Sequence, residues 1–323
     1  MRDGTFAALV TSWLQAEGFR HRRCHFLEGQ GSGHAVAIRS LTGACLVLNL
    51  LATPHSTADV LPASSSARLT DAFTERKQTL VHLWEDQWEE HGQIVRSRLL
   101  AKLGRSTRLM ARKTRARRID AATLEAFLLQ NHLWGSTKAR YRYGLFDADD
   151  ELVAVASFSP RWKVRRHGGE PRASHELIRY CSRQGETVVG GITKLIAAFR
   201  RDAGPDEIVT VIDRDWGEGS GWASLGFQPL KQLPPVSFYI GPDGRRCHLG
   251  CGPNPHRRRL PAHLASAIEG LAEPSAYLAD NSFYPVHDAG AERHLLILSP
   301  APAPVAPAEG DERHADSECG SRE

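Results

Sequence analysis

No run of this 323-residue chain is apolar for long enough to span a membrane, and Met1 to Val10 lacks the marks of a secretory leader. A membrane or exported protein is therefore not expected. Cysteine is sparse and scattered, with six residues at 24, 45, 181, 247, 251 and 319, which does not read as a disulfide framework. The expected compartment is the reducing cytoplasm. The GxxxxGK[ST] spacing of a Walker loop is absent, which sets aside a nucleoside triphosphatase. Gly29-Gln-Gly-Ser-Gly33 lacks the lysine and reads as a flexible loop. Paired metal motifs are missing too. Cys247-His248-x-x-Cys251, with His256 nearby, offers one cysteine pair where structural zinc uses two ligand pairs, so no metal is expected.

Acid is missing from one stretch in particular. Between Glu90 and Asp120 there is none, while Arg96, Arg98, Lys102, Arg105, Arg108, Arg112, Lys113, Arg115, Arg117 and Arg118 crowd together. The whole chain carries only +4, so distribution matters here and the total does not. Such a block attracts polyanions by releasing counterions condensed on phosphates. A solvated basic linker is the plainer account of the same run. Nucleic acid, DNA first, is the expected partner.

What is present is enough for two modest domains, with 41% hydrophobic residues. Phe6, Leu9, Val10, Trp13 and Leu14 form a helical stripe over 5–16, and residues 34–39 and 44–51 read as strands. Residues 67–77 read as a helix, 79–84 as a strand and 88–103 as a helix. Beyond the basic run, Asp120 can cap a helix over 121–132. Residues 141–146 and 152–159 make a hairpin, 175–181 a strand, 192–201 a helix, 208–213 a strand and 221–225 a short helix. Strands around 228–231 and 236–240 close this unit. A helix over 261–271 and a hairpin over 283–298 follow. The expected fold class is α/β, a mixed sheet with helices on both faces, preceded by a small α/β domain. The expected boundaries are 1–104, a basic linker or helix extension 105–118, the main domain 119–240, an extension 241–299 and a disordered tail 300–323.

One strand-to-helix connection invites chemistry. In the segment Val188, Val189, Gly190, Gly191, Ile192, Thr193 and Lys194, paired glycines admit close backbone approach, and a helix start favours phosphate. A tight structural connection is the alternative. Asp213 ends an apolar strand where α/β ligands bind, as a general base or as a turn cap paired with Arg214. Glu176 can act in the same way or pair with Arg179. His132 can touch a substrate or cap its helix. Tyr141, Phe158 and Trp216 can form a platform for an unstacked base, or simply be core.

The segments His175-Glu-Leu-Ile-Arg-Tyr-Cys181, Val188-Val-Gly-Gly-Ile-Thr-Lys-Leu195, Asp213-Arg-Asp-Trp216 and Leu225-Gly-Phe227 resemble those of phage and mobile-element proteins with a GNAT-like domain. Asn131-His132-Leu-Trp-Gly135, Ser157-Phe-Ser159 and Tyr284-Pro-Val-His-Asp288-Ala-Gly290 fit the same family, and the resemblance spans residues 70–298. More distantly the domain is similar to Mom-type DNA modification proteins. The resemblance implies an acyltransferase-like fold whose fourth strand leads through a loop into a helix start that holds a CoA-type donor such as acetyl-CoA. The next strand then splays away to admit the donor's arm. It also implies a preceding nuclease domain of the very-short-patch-repair type, with Leu80-Val-His-Leu-Trp-Glu-Asp-Gln-Trp88 as its last core strand and the helix start that follows. There the sequence departs from the pattern. The strand Cys45-Leu-Val-Leu-Asn-Leu-Leu51 carries no carboxylate, and no acid occurs between Glu28 and Asp59. A degenerate nuclease is expected, since metal-assisted cleavage needs those ligands.

Two functions lead, with an ordinary small-molecule or protein acetyltransferase as a third. One is a transferase modifying a DNA base, with Asp213, Glu176 and His132 as catalytic candidates and the 188–194 segment at the donor. Tyr141, Phe158, Arg179, Arg214, Trp216, Arg112, Lys113, Arg115, Arg117 and Arg118 would face nucleic acid. The other is an inactive DNA-binding protein derived from a mobile endonuclease.

Overall fold

The computed structural model describes residues 3–24, 34–166, 169–217, 219–249 and 258–298. The glycine loop 29–33, Cys251, His256 and the tail 300–323 lie outside the described residues. The N-terminal unit runs α1 (Asp3–Ala16), β1 (His21–Cys24), β2 (Ala35–Arg39), β3 (Cys45–Leu51), α2 (Ser65–Glu75), β4 (Thr79–Trp84), α3 (Glu85–Glu90) and α4 (Gly92–Lys102). Its four strands form one sheet in sequence order, antiparallel except for the parallel pair β3/β4. The apolar stripe of α1, with Phe6, Val10 and Leu14 buried, packs into a core with Leu48, Val81, Val95 and Leu99.

The basic run is no helical extension. After α4 the chain forms β5 (Thr107–Met110), a 3-10 turn over Ala111–Lys113 and β6 (Arg115–Arg118). The expectation failed because the cations hid the alternation: Ala116 turns partly inward while Arg115, Arg117 and Arg118 stay exposed. The β6 partner is β7, distant in sequence.

The main domain continues with α5 (Ala121–Asn131), β7 (Tyr141–Phe146), β8 (Leu152–Phe158), β9 (Trp162–Val164), β10 (Arg172–Ser182), β11 (Glu186–Val189) and α6 (Gly191–Ala203). Then come β12 (Glu207–Asp213), α7 (Ser220–Ala223) and β13 (Gln228–Leu233). Asp120 does cap α5, accepting from the Thr123 N–H at 2.7 Å. The last elements are β14 (Ser237–Ile240), β15 (Arg246–His248), α8 (Ala262–Ala267), α9 (Pro274–Asp280), β16 (Tyr284–His287) and β17 (Ala291–Ile297).

The main sheet is ordered β13-β17-β12-β10-β8-β7-β6, with β9 added beside β10. Its neighbours are antiparallel except at the centre, where β10 and β12 run parallel. Counted from the β6 end, β10 is the fourth strand and β12 the fifth. Helix α6 covers one face through Leu195, Ile196 and Phe199, and α5 covers the other through Leu124, Phe127 and Leu128. This is the expected mixed sheet with helices on both faces.

The expected 283–298 hairpin does not form. β16 pairs with β14 in a separate three-stranded sheet, whereas β17 inserts between β12 and β13. The turn between them is drawn to the main sheet at Gly290, which has φ +79°, a backbone favouring glycine. A Cβ there would lie 2.5 Å from the Leu233 carbonyl oxygen.

Three sets of side chains lock the units together. Leu133 and Trp216 enter the N-terminal core, and Leu51 and Trp84 pack on Phe238, Ile240 and Val286. The Asp215 carbonyl accepts the His82 N–H at 2.8 Å, while its carboxylate accepts Trp84 Nε1–H at 3.0 Å and the Ala289 N–H at 2.7 Å. Burial, reinforced by Asp213 and Asp288, raises this carboxyl well above the usual aspartate range.

Candidate functional site

The site begins where the central pairing ends. β10 and β12 pair in register from Ser174↔Glu207 to Leu177↔Thr210 and no further, although both strands continue. A bulge between Leu177 and Arg179 shifts β10 against β8 at the same level. The parted ends open a cleft of about 350 Å³. Its walls include Ile178, Arg179 and Tyr180 from β10, Val211 to Asp213 from β12, and Trp216 and Trp222 from the segment after β12. Arg98 and Lys102 of α4, with His132 and Trp134 after α5, close it from the N-terminal side.

His132, Arg179 and the pair Asp213 and Trp216, three separate parts of the chain, therefore share one cleft. Asp213 Oδ2 accepts Trp134 Nε1–H at 3.1 Å and Oδ1 accepts the Asp215 N–H at 2.9 Å. The carboxylate is thus fixed at the strand end, with lone pairs to spare on both oxygens. His132 is held neutral, first by burial and then by Arg179 and Arg98. Its Nδ1 accepts the Trp134 N–H at 3.1 Å, which leaves the proton on Nε2. In this state His132 can donate a hydrogen bond but offers no free nitrogen as a base. The Arg179 guanidinium donates to the carbonyls of Gly135 and Ile178 at 3.3 and 2.8 Å.

Other sequence candidates sit elsewhere. Glu176 is not among the residues lining the cleft; burial raises its carboxyl above the ordinary glutamate range, against the pull of Arg293 and Arg179. Phe158 is no platform. It is fully buried and stacks on Phe199, with centroids 4.0 Å apart and planes within 5°, because its side of β8 faces α6. Tyr141 packs edge-on against Phe199 and His175 in the same layer. Arg214 leaves the crevice for a structural bridge, donating to Asp71 and, at 3.0 Å, to the Ala289 carbonyl. Asp213 is therefore not its ion-pair partner among the described residues.

The 188–194 connection is also occupied. Gly190 caps α6 in a left-handed conformation, φ +76°. A Cβ on Gly191 would meet Tyr180 Oη at 2.8 Å. The glycine pair therefore admits a tyrosine of this chain. Lys194 Nζ donates to the Ala111 carbonyl at 2.9 Å and to that of Thr114, tying α6 to the 3-10 turn. Val188 and Ile192 are buried against the α6 core; Val189 and Thr193 are not.

The basic run divides. Arg115 and Arg117 both pair with Asp150, and Arg118 lies 3.7 Å from Asp202 and over Tyr141 and Tyr143. Arg112 and Lys113 have no such partner among the described residues. Sequence reasoning missed a second basic patch on β9. There Arg161, Lys163 and Arg165 are exposed, with no partner among the described residues, beside Trp162, itself 46% exposed. Arg166 and Arg172 nearby are instead taken up by the buried Glu207. A cation–aromatic–cation alternation over 161–165 was the available signal.

In the N-terminal sheet, where the nuclease pattern would place carboxylates, β3 carries Asn49. Its Nδ2 lies 2.9 Å from His82 Nδ1, and His82 Nε2 lies 2.8 Å from Thr70 Oγ1, all three side chains being buried. Burial, with Arg214 nearby, lowers the His82 pKa to about 3. Glu85 accepts from the backbone N–H and hydroxyl of Thr53, and Asp86 pairs with Arg246. No cluster of three metal-ligating side chains occurs among the described residues.

No family model matches the chain, and no curated protein matches it. Solved structures do. Spermidine/spermine N-acetyltransferase SpeG from Vibrio cholerae is 11% identical over 58% of this chain and 94% of that one, with a TM-score of 0.31. A histone acetyltransferase HPA2 and related acetyltransferase from Corynebacterium glutamicum is 15% identical over 38% and 88%, TM-score 0.29. The NatC complex bound to Gag peptide and CoA is 10% identical over 58% and 99%, TM-score 0.30. At such scores the fold is defined by the strand order of the chain itself.

Proposed function

We propose that the chain is a GNAT-like acyltransferase that takes a CoA-type donor into the β10/β12 cleft and modifies an amine of a nucleic-acid base. The observation that carries this reading is the parting of two parallel strands at the centre of the sheet, beyond Leu177↔Thr210. Residues 178–180 and 211–213 lose their mutual pairing there, so their inner backbone groups are available to an extended, amide-bearing ligand arm. Among the described residues of its wall, Arg98, Lys102 and Arg179 stand beside the single carboxylate of Asp213, which suits a phosphate-bearing donor.

The bound donor would supply an acyl thioester as the electrophile. Asp213, fixed by Trp134 and Asp215, is the group placed to take a proton from an incoming amine. His132 can donate Nε2–H to a carbonyl oxygen, and the walls hold the two reactants together. A nucleic-acid acceptor is supported by Arg161, Lys163 and Arg165 around exposed Trp162, where a base can stack beside phosphate contacts. Arg112 and Lys113 add to that charge.

Calorimetry with acetyl-CoA and CoA tests the donor site, using wild type and Val211→Trp, which fills the cleft from an exposed strand position. Micromolar binding lost in the variant is expected, followed by an acyl mass increment on a base after incubation with an oligonucleotide. Absence of binding to both ligands removes the reading. Separately, Arg161→Glu/Lys163→Glu/Arg165→Glu should flatten the salt dependence of oligonucleotide binding by up to about three phosphate contacts.

One observation favours a second reading, an inactive DNA-binding protein derived from a mobile endonuclease. Tyr180 fills the α6 start that a donor's phosphates would otherwise use. That reading expects oligonucleotide binding without CoA binding.

A further inference from the structure

Arg98 is where the N-terminal unit reaches the cleft. It walls the cleft and also a neighbouring cavity of about 230 Å³, and His132 and Tyr180 line both spaces with it. Its guanidinium lies 4.2 Å from the centroid of the Trp216 ring. Stacking accounts for the face of the guanidinium, but its N–H groups point outward in the guanidinium plane and still need acceptors. Among the described residues it makes no hydrogen bond and no ion pair. Asp213 is close enough to favour the charge, yet both its oxygens already hold other donors. Burial works against the charge more strongly, pulling Arg98 below the usual arginine range.

Trp216 repeats the pattern. The residue is 3% exposed, lines the same cleft, and its Nε1–H is buried with no partner. A buried donor without an acceptor is costly, and a charged one more so. That buried, unanswered donor lies against a half-buried arginine with no partner among the described residues, and the pair suits an acceptor-rich anion from outside the chain.

We propose that Arg98, laid on Trp216, is a phosphate-binding residue, which takes a phosphate or diphosphate of the cleft's ligand and makes the N-terminal unit part of the site. Lys102, one turn further along α4 and also in the cleft wall, adds a second positive charge. The identity of the phosphate as the donor's rests on the acyltransferase reading above. The anion subsite itself does not. A diphosphate of a CoA-type donor and the backbone of a nucleic acid share this chemistry.

The test titrates inorganic diphosphate calorimetrically into the full chain, as wild type, Arg98→Lys and Arg98→Met, after thermal melts have shown each variant to be folded. Saturable binding by wild type is expected, roughly tenfold or more weaker in Arg98→Met, with Arg98→Lys between them. CoA or a short single-stranded oligonucleotide is then added in competition, and whichever displaces diphosphate identifies the source of the phosphate. If Arg98→Met does not fold, Arg98→Gln takes its place. No saturable binding of diphosphate to wild type overturns the proposal, as does equal affinity in the variant lacking the charge. CoA binding that is unchanged in that variant also overturns it and leaves the donor reading standing. Diphosphate binding that CoA fails to displace does the reverse.

Discussion

Arg246 and Arg98 are both laid on aromatic rings, and their surroundings separate structure from function. Arg246 lies over Trp84 and Phe238, at 5.0 and 4.8 Å, and donates through Nε and Nη2 to Asp86 at 2.8 and 3.0 Å. Its charge is answered inside the protein, by a carboxylate from another unit. Arg98 lies over Trp216 at 4.2 Å with no acceptor among the described residues. A stacked arginine that is also paired fastens two units together. One that is stacked but unanswered leaves its donors for a ligand.

The strongest way to break this comparison is at the closed site. Asp86→Ala strands the Arg246 charge in the interior and should cost about 3–5 kcal/mol, read as a lowered urea midpoint. A loss below about 1 kcal/mol would mean that the pair is no fastening. Acid probes another closed site, Asn49–His82–Thr70. With its folded pKa near 3, His82 takes up a proton in the unfolded chain first as the pH falls. Its contribution is complete above the ordinary histidine value of about 6.5 and shrinks below it, by about 2 kcal/mol at pH 5. Unfolding measured at pH 7.5 and pH 5 should show that fall, and His82→Gln should lessen it; an equal fall in both proteins would point to other groups.

At the open site, the stability effect should be small. Arg98→Met replaces an unanswered cation by an apolar chain of similar reach and should shift stability by less than about 1 kcal/mol in either direction. A large loss would make Arg98 a structural wedge. Smallest of all, Asp150→Asn on the surface should leave the urea midpoint unchanged. By releasing Arg115 and Arg117 it should tighten oligonucleotide binding slightly at low salt, as measured by anisotropy.

Much of the fold was legible because its core strands are written in apolar runs. Cys45–Leu51 and Glu207–Asp213 are nearly continuous stretches of leucine, valine and isoleucine, and α1 and α6 carry helical stripes. The misses have physical causes. β6 hid in a cationic run because its pairing is set by distant β7, and β16 and β17 look like a hairpin although adjacent residues join different sheets. At the site, Asp213, His132, Arg179 and Trp216 were visible as polar or aromatic residues near strand and helix ends. Arg98 and Lys102 were legible only as members of the basic run and Trp134 only as part of a motif, since the fold, not the sequence, brings α4 across the sheet. Arg98 did leave a trace. It sits three and four residues after Val95 and Ile94, on the face of α4 that packs inward, where an arginine is out of place. Charge pairing was the least legible property: nothing in the string distinguishes Arg117, held by Asp150, from Lys113, which is not.

The insertion between β13 and β17 has ends that meet. Leu233 and Ala291 are opposite one another in the main sheet, so residues 234–290 leave and return at a single point. Topologically that segment is a long loop on a hairpin, and a short turn could bridge the same two residues without disturbing the strand order. The main sheet thus has no need of it to close. What depends on it is one part of the grip on the N-terminal unit, through Arg246, Phe238 and Val286. The segment behaves as a portable clasp, and its removal would loosen one domain from another, leaving Leu133, Trp216 and Asp215 to hold them, with each strand of the main sheet still beside its neighbours.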